Sequence, residues 1–139
     1  MAPLPVEGTL FAETHRSEAA TAGVGLFCDD PPSRSLFHRL TFDEVWHFYA
    51  GDPLRLVLLD PDGSDRDVVL GGDVVQHVVP AGVWQAGELV PGGAWSFYGC
   101  TVAPPFTPEC FEGGEVAELL ATHPRRAADI ERLAVRPES

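Results

Sequence analysis

Apolar residues along this chain come in short bursts broken by Gly and Pro. Residues 8–15 (GTLFAETH) predict a first strand and 22–28 (AGVGLFC) a second. DDPPSRS at 29–35 is a loop, with two prolines after two acids. Apolar runs follow at 36–40 (LFHRL), 44–49 (EVWHFY) and 54–59 (LRLVLL), with Ala50-Gly51-Asp52-Pro53 as a turn between the last two. Asp60-Pro61-Asp62-Gly63 is a turn with a mechanism: Pro sets φ and Gly accepts φ > 0. Residues 66–70 and 74–79 (VVQHVV) are β-branched runs split by Gly71-Gly72. Pro80-Ala81-Gly82 precedes a run at 83–89, and Pro91-Gly92-Gly93 precedes 94–103 (AWSFYGCTVA).

Short strands with turn signals every ~8–12 residues are the mark of a sandwich or barrel. No helical period competes before residue 113. After it, EVAELLATH and PRRAADIERLAV show helical spacing, and Pro124 suits a first helical turn. The prediction is an all-β barrel closed by one or two C-terminal helices. The length of 139 residues suits one domain over residues 1–139.

The net charge of −12, with nine Arg as the only Arg or Lys side chains, argues against a phosphate-backbone partner. Anionic membrane surfaces are disfavoured for the same reason. No run reaches the ~20 apolar residues of a membrane helix. MAPLPVEGTL lacks the basic and apolar regions of a secretory signal, so the expected location is the cytoplasm. Cys28, Cys100 and Cys110 are odd in number and show no metal or redox spacing. The Ala-rich, Lys-free usage is of the kind a GC-rich bacterial genome produces.

Two local motifs carry a resemblance. Residues 38–51 (HRLTFDEVWHFYAG) set His38, Glu44 and Gly51 at the spacing of the first cupin motif. PAGVWQ at 80–85 resembles the Pro-x-Gly turn of the second, with Gln85 at the ligand position. ETHRS, FHRLTFDEVWHFYAGDPL, LLDPDG, VVPAGVWQA, GCTVAPPF and ELLATHP follow in order through nearly the whole chain. Together they resemble the cupin-5 subfamily, long catalogued as a domain of unknown function. The resemblance implies a double-stranded β-helix, a jelly-roll barrel, and a homodimer. It implies no activity, because cupins host many chemistries. At the N-terminus EGTLFAETH departs from the subfamily pattern, and this segment is expected near the barrel mouth.

Metal-binding cupins commonly use His-x-His, then Glu, then a last His. Here position 40 is Leu and position 85 is Gln, which leaves one imidazole, one carboxylate and one amide. Strand parity turns Glu44, Trp46 and Phe48 inward, and Val45, His47, Tyr49 and Arg39 outward. The expected cofactor set is therefore empty. The alternative is a weakly held divalent cation at His38, Glu44 and His47. Without metal, His38 and Glu44 form a candidate acid–base pair, with Gln85 orienting a substrate carbonyl or enolate. The candidate substrate contacts are Leu40, Trp46, Phe48, Trp84, Glu13 and Arg16. Glu13 and Arg16 also fit a surface salt bridge, and Cys100 fits a buried thiol.

Phosphate loops, GxSxG elbows and HExxH helices are missing from the sequence. Three functions follow as expectations, each with a small organic partner. The first is a metal-independent isomerase, epimerase, cyclase or lyase, in bacterial specialised metabolism. The second is a non-catalytic binding cupin. The third is a metal-dependent oxygenase or isomerase.

Overall fold

The computed structural model describes residues 2–3 and 9–136, the first two by their backbone alone. Two antiparallel sheets face each other. The first joins, in spatial order, β1 (Ala2–Pro3), β2 (Leu10–Arg16), β3 (Thr21–Cys28), β10 (Trp95–Val102), β5 (Glu44–Gly51) and β8 (Gln76–Val79). The second joins β11 (Phe111–Gly113), β4 (Ser35–Leu40), β9 (Trp84–Leu89), β6 (Leu54–Leu59) and β7 (Asp65–Leu70). Strand order jumps between the sheets along the chain, as a double-stranded β-helix requires. The N-terminal reading over residues 4–8, Gly8 of the first strand included, lies outside the described residues.

Each apolar burst forms a strand, with its ends within two residues of those expected. The turn at Asp60–Gly63 forms as expected, with Gly63 at φ 92°. Two short strands, β1 and β11, carry no alternation and were not expected.

The LRLVLL run of β6 is apolar throughout because both its faces are covered. Leu54, Leu56 and Leu58 point into the barrel, against Phe27, Trp46 and Tyr98. Val57 and Leu59 point the other way, beneath α1 (Val116–Thr122) and α2 (Ala127–Leu133). Leu119, Ile130 and Leu133 of these helices are fully buried there. Among the described residues, no helix is long and apolar enough to cross a membrane.

Charge ties α2 to the outer face of the second sheet. Asp129 accepts hydrogen bonds from Arg55 (2.9 Å), Arg132 (3.1 Å) and Arg126 (3.3 Å). Burial alone would raise the Asp129 carboxyl. Hydrogen bonds from the three guanidiniums, Arg55 first, outweigh it and hold the group at about 2, from an ordinary 3.8. A depressed carboxylate stabilises the fold above its unfolded value, and that contribution is lost as pH falls through its folded value. With solvent screening, the contribution is about 1 kcal/mol at neutral pH. Asp129→Asn is therefore expected to unfold at lower urea than wild type at pH 7, and at nearly the same urea at pH 2. A gap that persists at pH 2 would show that the lost stability is not electrostatic.

Candidate functional site

One end of the barrel is open and leads to a cavity of about 440 Å³ between the sheets. That volume lies within the range of small-molecule sites. His38 and Glu44 stand in its wall, brought together from β4 and the start of β5. A bulge between Ser35 and His38 lets β4 turn Ser35, His38 and Leu40 inward while Phe37 goes out to the helices. His38 Nδ1 lies 2.9 Å from the Leu36 carbonyl. A carbonyl only accepts, so Nδ1 carries the proton in the neutral ring, and Nε2 bears the lone pair. Nε2 is 3.7 Å from Glu44 Oε1, an ion-pair distance beyond hydrogen-bonding range. Glu44 is 8% exposed, and its Oε1 has no hydrogen-bond partner.

Cys100 of β10 lines the same cavity. Burial, and then the nearby Glu44 carboxylate, push its thiol well above the ordinary range. It is a buried, protonated thiol, with its wall position an addition to the sequence reading. The rest of the wall is largely aromatic and aliphatic: Phe11, Leu40, Trp46, Tyr98, Phe106 and Phe111. Phe111 stacks on His38 with centroids 5.3 Å apart. Gly23 and Gly25 of β3 make room for the Phe11 and Tyr98 rings, since a Cβ at either position would overlap ring atoms.

The other candidates divide. Leu40, Trp46 and Glu13 line the cavity. Arg16 does not. It forms a two-pronged ion pair with Glu13 (2.8 Å to each oxygen) and donates to the Phe106 carbonyl at 3.0 Å, so it braces the rim. Gln85 points inward but is not in the cavity wall. Its amide oxygen accepts the Trp46 indole N–H at 2.6 Å, within the packed interior. Phe48 also points inward. Two residue pairs along β5 from Glu44 carry it about 13 Å deeper, at ~3.3 Å per residue. There it packs on the core. Trp84 lies on the opposite face of β9, under the helices, with the Arg39 guanidinium 4.3 Å above its ring. Arg39 faces outward and pairs with Glu112 at 2.6 Å.

His47 is on the outer face, bonded to Thr101 Oγ1 (3.1 Å) and Gln76 (3.2 Å). The set His38, Glu44, His47 therefore does not converge, because alternation along β5 separates Glu44 from His47. Among the described residues, no group of three or more His, Cys, Asp and Glu is placed to hold a metal ion.

Known proteins agree with this fold. The Cupin_5 family model, described as Cupin superfamily (DUF985), matches residues 1–113. The chain belongs to the cupin superfamily. A solved cupin-fold protein from Shewanella oneidensis is 32% identical, with a TM-score of 0.84 over 96% of this chain and 90% of that one. A hypothetical protein from Leishmania major is 28% identical, with a TM-score of 0.85 over 96% and 92%. A cupin domain from Bordetella pertussis is 17% identical, with a TM-score of 0.52 over 72% and 97%, a likeness of fold alone. No curated protein matches the sequence.

Many cupins hold a metal, and the described residues around this cavity do not make up a set that fits one. Carbon stands at Leu40 where a second imidazole would sit. The oxygen of Gln85 is already taken by an indole N–H. Two facing donors, His38 and Glu44, do not close a coordination sphere.

Proposed function

We propose that the cavity binds a small organic molecule on which His38 and Glu44 carry out metal-independent acid–base chemistry, of the isomerase, epimerase, cyclase or lyase type. One observation carries the reading. An imidazole whose tautomer is set by Leu36 aims Nε2 at a buried carboxylate 3.7 Å away, beside an open cavity. Nε2 takes a proton from a carbon next to a carbonyl, and the pair of electrons left behind moves onto the carbonyl oxygen. The imidazolium so formed is stabilised by Glu44 and returns its proton to another carbon, to the opposite face, or to a leaving group. Bacterial specialised metabolism suits such chemistry. Three free cysteines suit a reducing cytoplasm.

The test is solvent deuterium uptake into enolisable probes, small hydroxyketones and cyclic enones, followed by proton NMR. Wild-type protein is expected to catalyse saturable exchange that His38→Ala loses. The largely carbon wall favours a second reading, a non-catalytic binder. That reading predicts thermal stabilisation by a ligand with no exchange.

We also propose a homodimer through the outer face of the first sheet. Helices cover the second sheet, and nothing described covers the first. Strands β3, β10, β5 and β8 turn Val24, Leu26, Phe97, Val45, Tyr49 and Val78 outward, with Tyr49 and Val78 half exposed. The outward positions of these four strands include no Asp, Glu or Arg. Two copies at −12 each repel, and a face without carboxylates lowers that repulsion where they meet. Light scattering after gel filtration is expected to give twice the chain mass at 20 µM, and Val78→Asp with Tyr49→Asp to give the monomer. A monomeric wild type refutes this interface.

A further inference from the structure

We infer that the cavity selects a ligand with a cationic amine head on a small, ring-bearing apolar body, and that it rejects carboxylates and phosphates. The inference rests on the cavity being a small-molecule site and names the class of molecule.

The charge in the wall decides the sign. Among the described residues its ionisable groups are Glu13, His38, Glu44, Tyr98 and the protonated Cys100, so the negative charges in the wall are carboxylates. No Arg lines it. The guanidinium at the rim, Arg16, has its charge paired with Glu13 and also donates to the Phe106 carbonyl. An anion entering the cavity would meet the Glu44 carboxylate with no guanidinium to offset it. The imidazole that could help already faces Glu44. The net charge of −12 adds a field that concentrates cations and depletes anions at the mouth.

An unmet need decides the head group. Glu44 Oε1 is buried and lacks a hydrogen-bond partner. Such atoms are rare in native structures, and a donor supplied by a bound molecule would satisfy this one. An ammonium brings three donors and a positive charge, and charge-assisted hydrogen bonds to carboxylates are the strong ones. Trp46, Tyr98 and Phe111 line the same cavity, and aromatic rings attract cations. They also supply the apolar surface that a ring-bearing body would cover.

Three probes of similar shape separate the possibilities: 2-phenylethylamine, 2-phenylethanol and phenylacetate, titrated by calorimetry into the full chain. The amine is expected to bind at least tenfold more tightly than the alcohol, and phenylacetate not to bind at 10 mM. Glu44→Gln is expected to remove the amine's advantage and leave the alcohol unchanged. If that variant does not fold, the salt dependence of wild-type binding replaces it: added NaCl should weaken the amine and not the alcohol. Equal binding of amine and alcohol, tighter binding of phenylacetate, or binding of none of the three overturns the inference. Deuterium exchange is read separately. Exchange without amine preference overturns the ligand class alone, whereas neither binding nor exchange overturns both readings.

Discussion

Replacing His38 with alanine is expected to lower deuterium exchange by 10²–10⁴-fold, the usual contribution of a positioned acid–base group. The fold should survive. His38 sits at the cavity wall, so its removal enlarges an existing space more than it opens a new void. Its stacking with Phe111, which is 40% exposed, is a rim contact. Glu44→Gln should cost less than His38→Ala. The amide cannot stabilise an imidazolium, but Nε2 keeps its lone pair because Leu36, not Glu44, sets the tautomer. The two losses should not add, since both act on one proton transfer. Single-turnover exchange at saturating probe, with circular dichroism on each variant, separates chemistry from folding. A rate unchanged in His38→Ala sinks the catalytic role.

Much of this arrangement was legible from period alone. The two-residue alternation of EVWHFY sends Glu44 and Trp46 to the cavity and His47 to the outer face. All three lie where parity puts them. Parity fixes face and not depth, which is why Phe48 shares a face with Glu44 and yet packs against the core away from the cavity wall. Trp84 lies under the helices and not in the cavity, and the sequence carries the signal for this. It neighbours Gln85 on one strand, so an inward Gln85 requires an outward Trp84. The rim was not legible. Phe106 and Phe111 lie in a stretch of prolines and a three-residue strand with no alternation to count. Their place depends on pairing with β4, and on the Arg16 bond to the Phe106 carbonyl, across 90 positions of sequence. Tyr98 and Cys100 needed the pairing of β10 with β5 to be turned inward.

Trp46→Ala should be among the most destabilising single changes in the protein. The side chain is 2% exposed, stacks on Tyr98 with centroids 5.0 Å apart, and packs on Phe27. Deleting a large buried aromatic costs about 3–5 kcal/mol, because the surroundings only partly collapse. In a chain of this length that lowers the melting temperature by roughly 10–20 °C. The void would join the cavity, so surviving protein should also bind the phenyl probes more weakly. Gln85→Leu acts on the same contact from the other side. It leaves the indole N–H without its acceptor in the interior, at a cost of about 1–3 kcal/mol. The two changes should couple: Gln85→Leu should cost less in the Trp46→Ala background, where no indole N–H remains to be paired. Urea unfolding of the four proteins in the cycle measures that coupling. If the costs simply add while Gln85→Leu abolishes exchange in a protein of normal stability, then Gln85 touches the substrate after all. If they couple, Gln85 serves to hold Trp46 as a wall of the cavity. The residue after the Pro80-Ala81-Gly82 turn that the resemblance marks as a ligand position then serves packing.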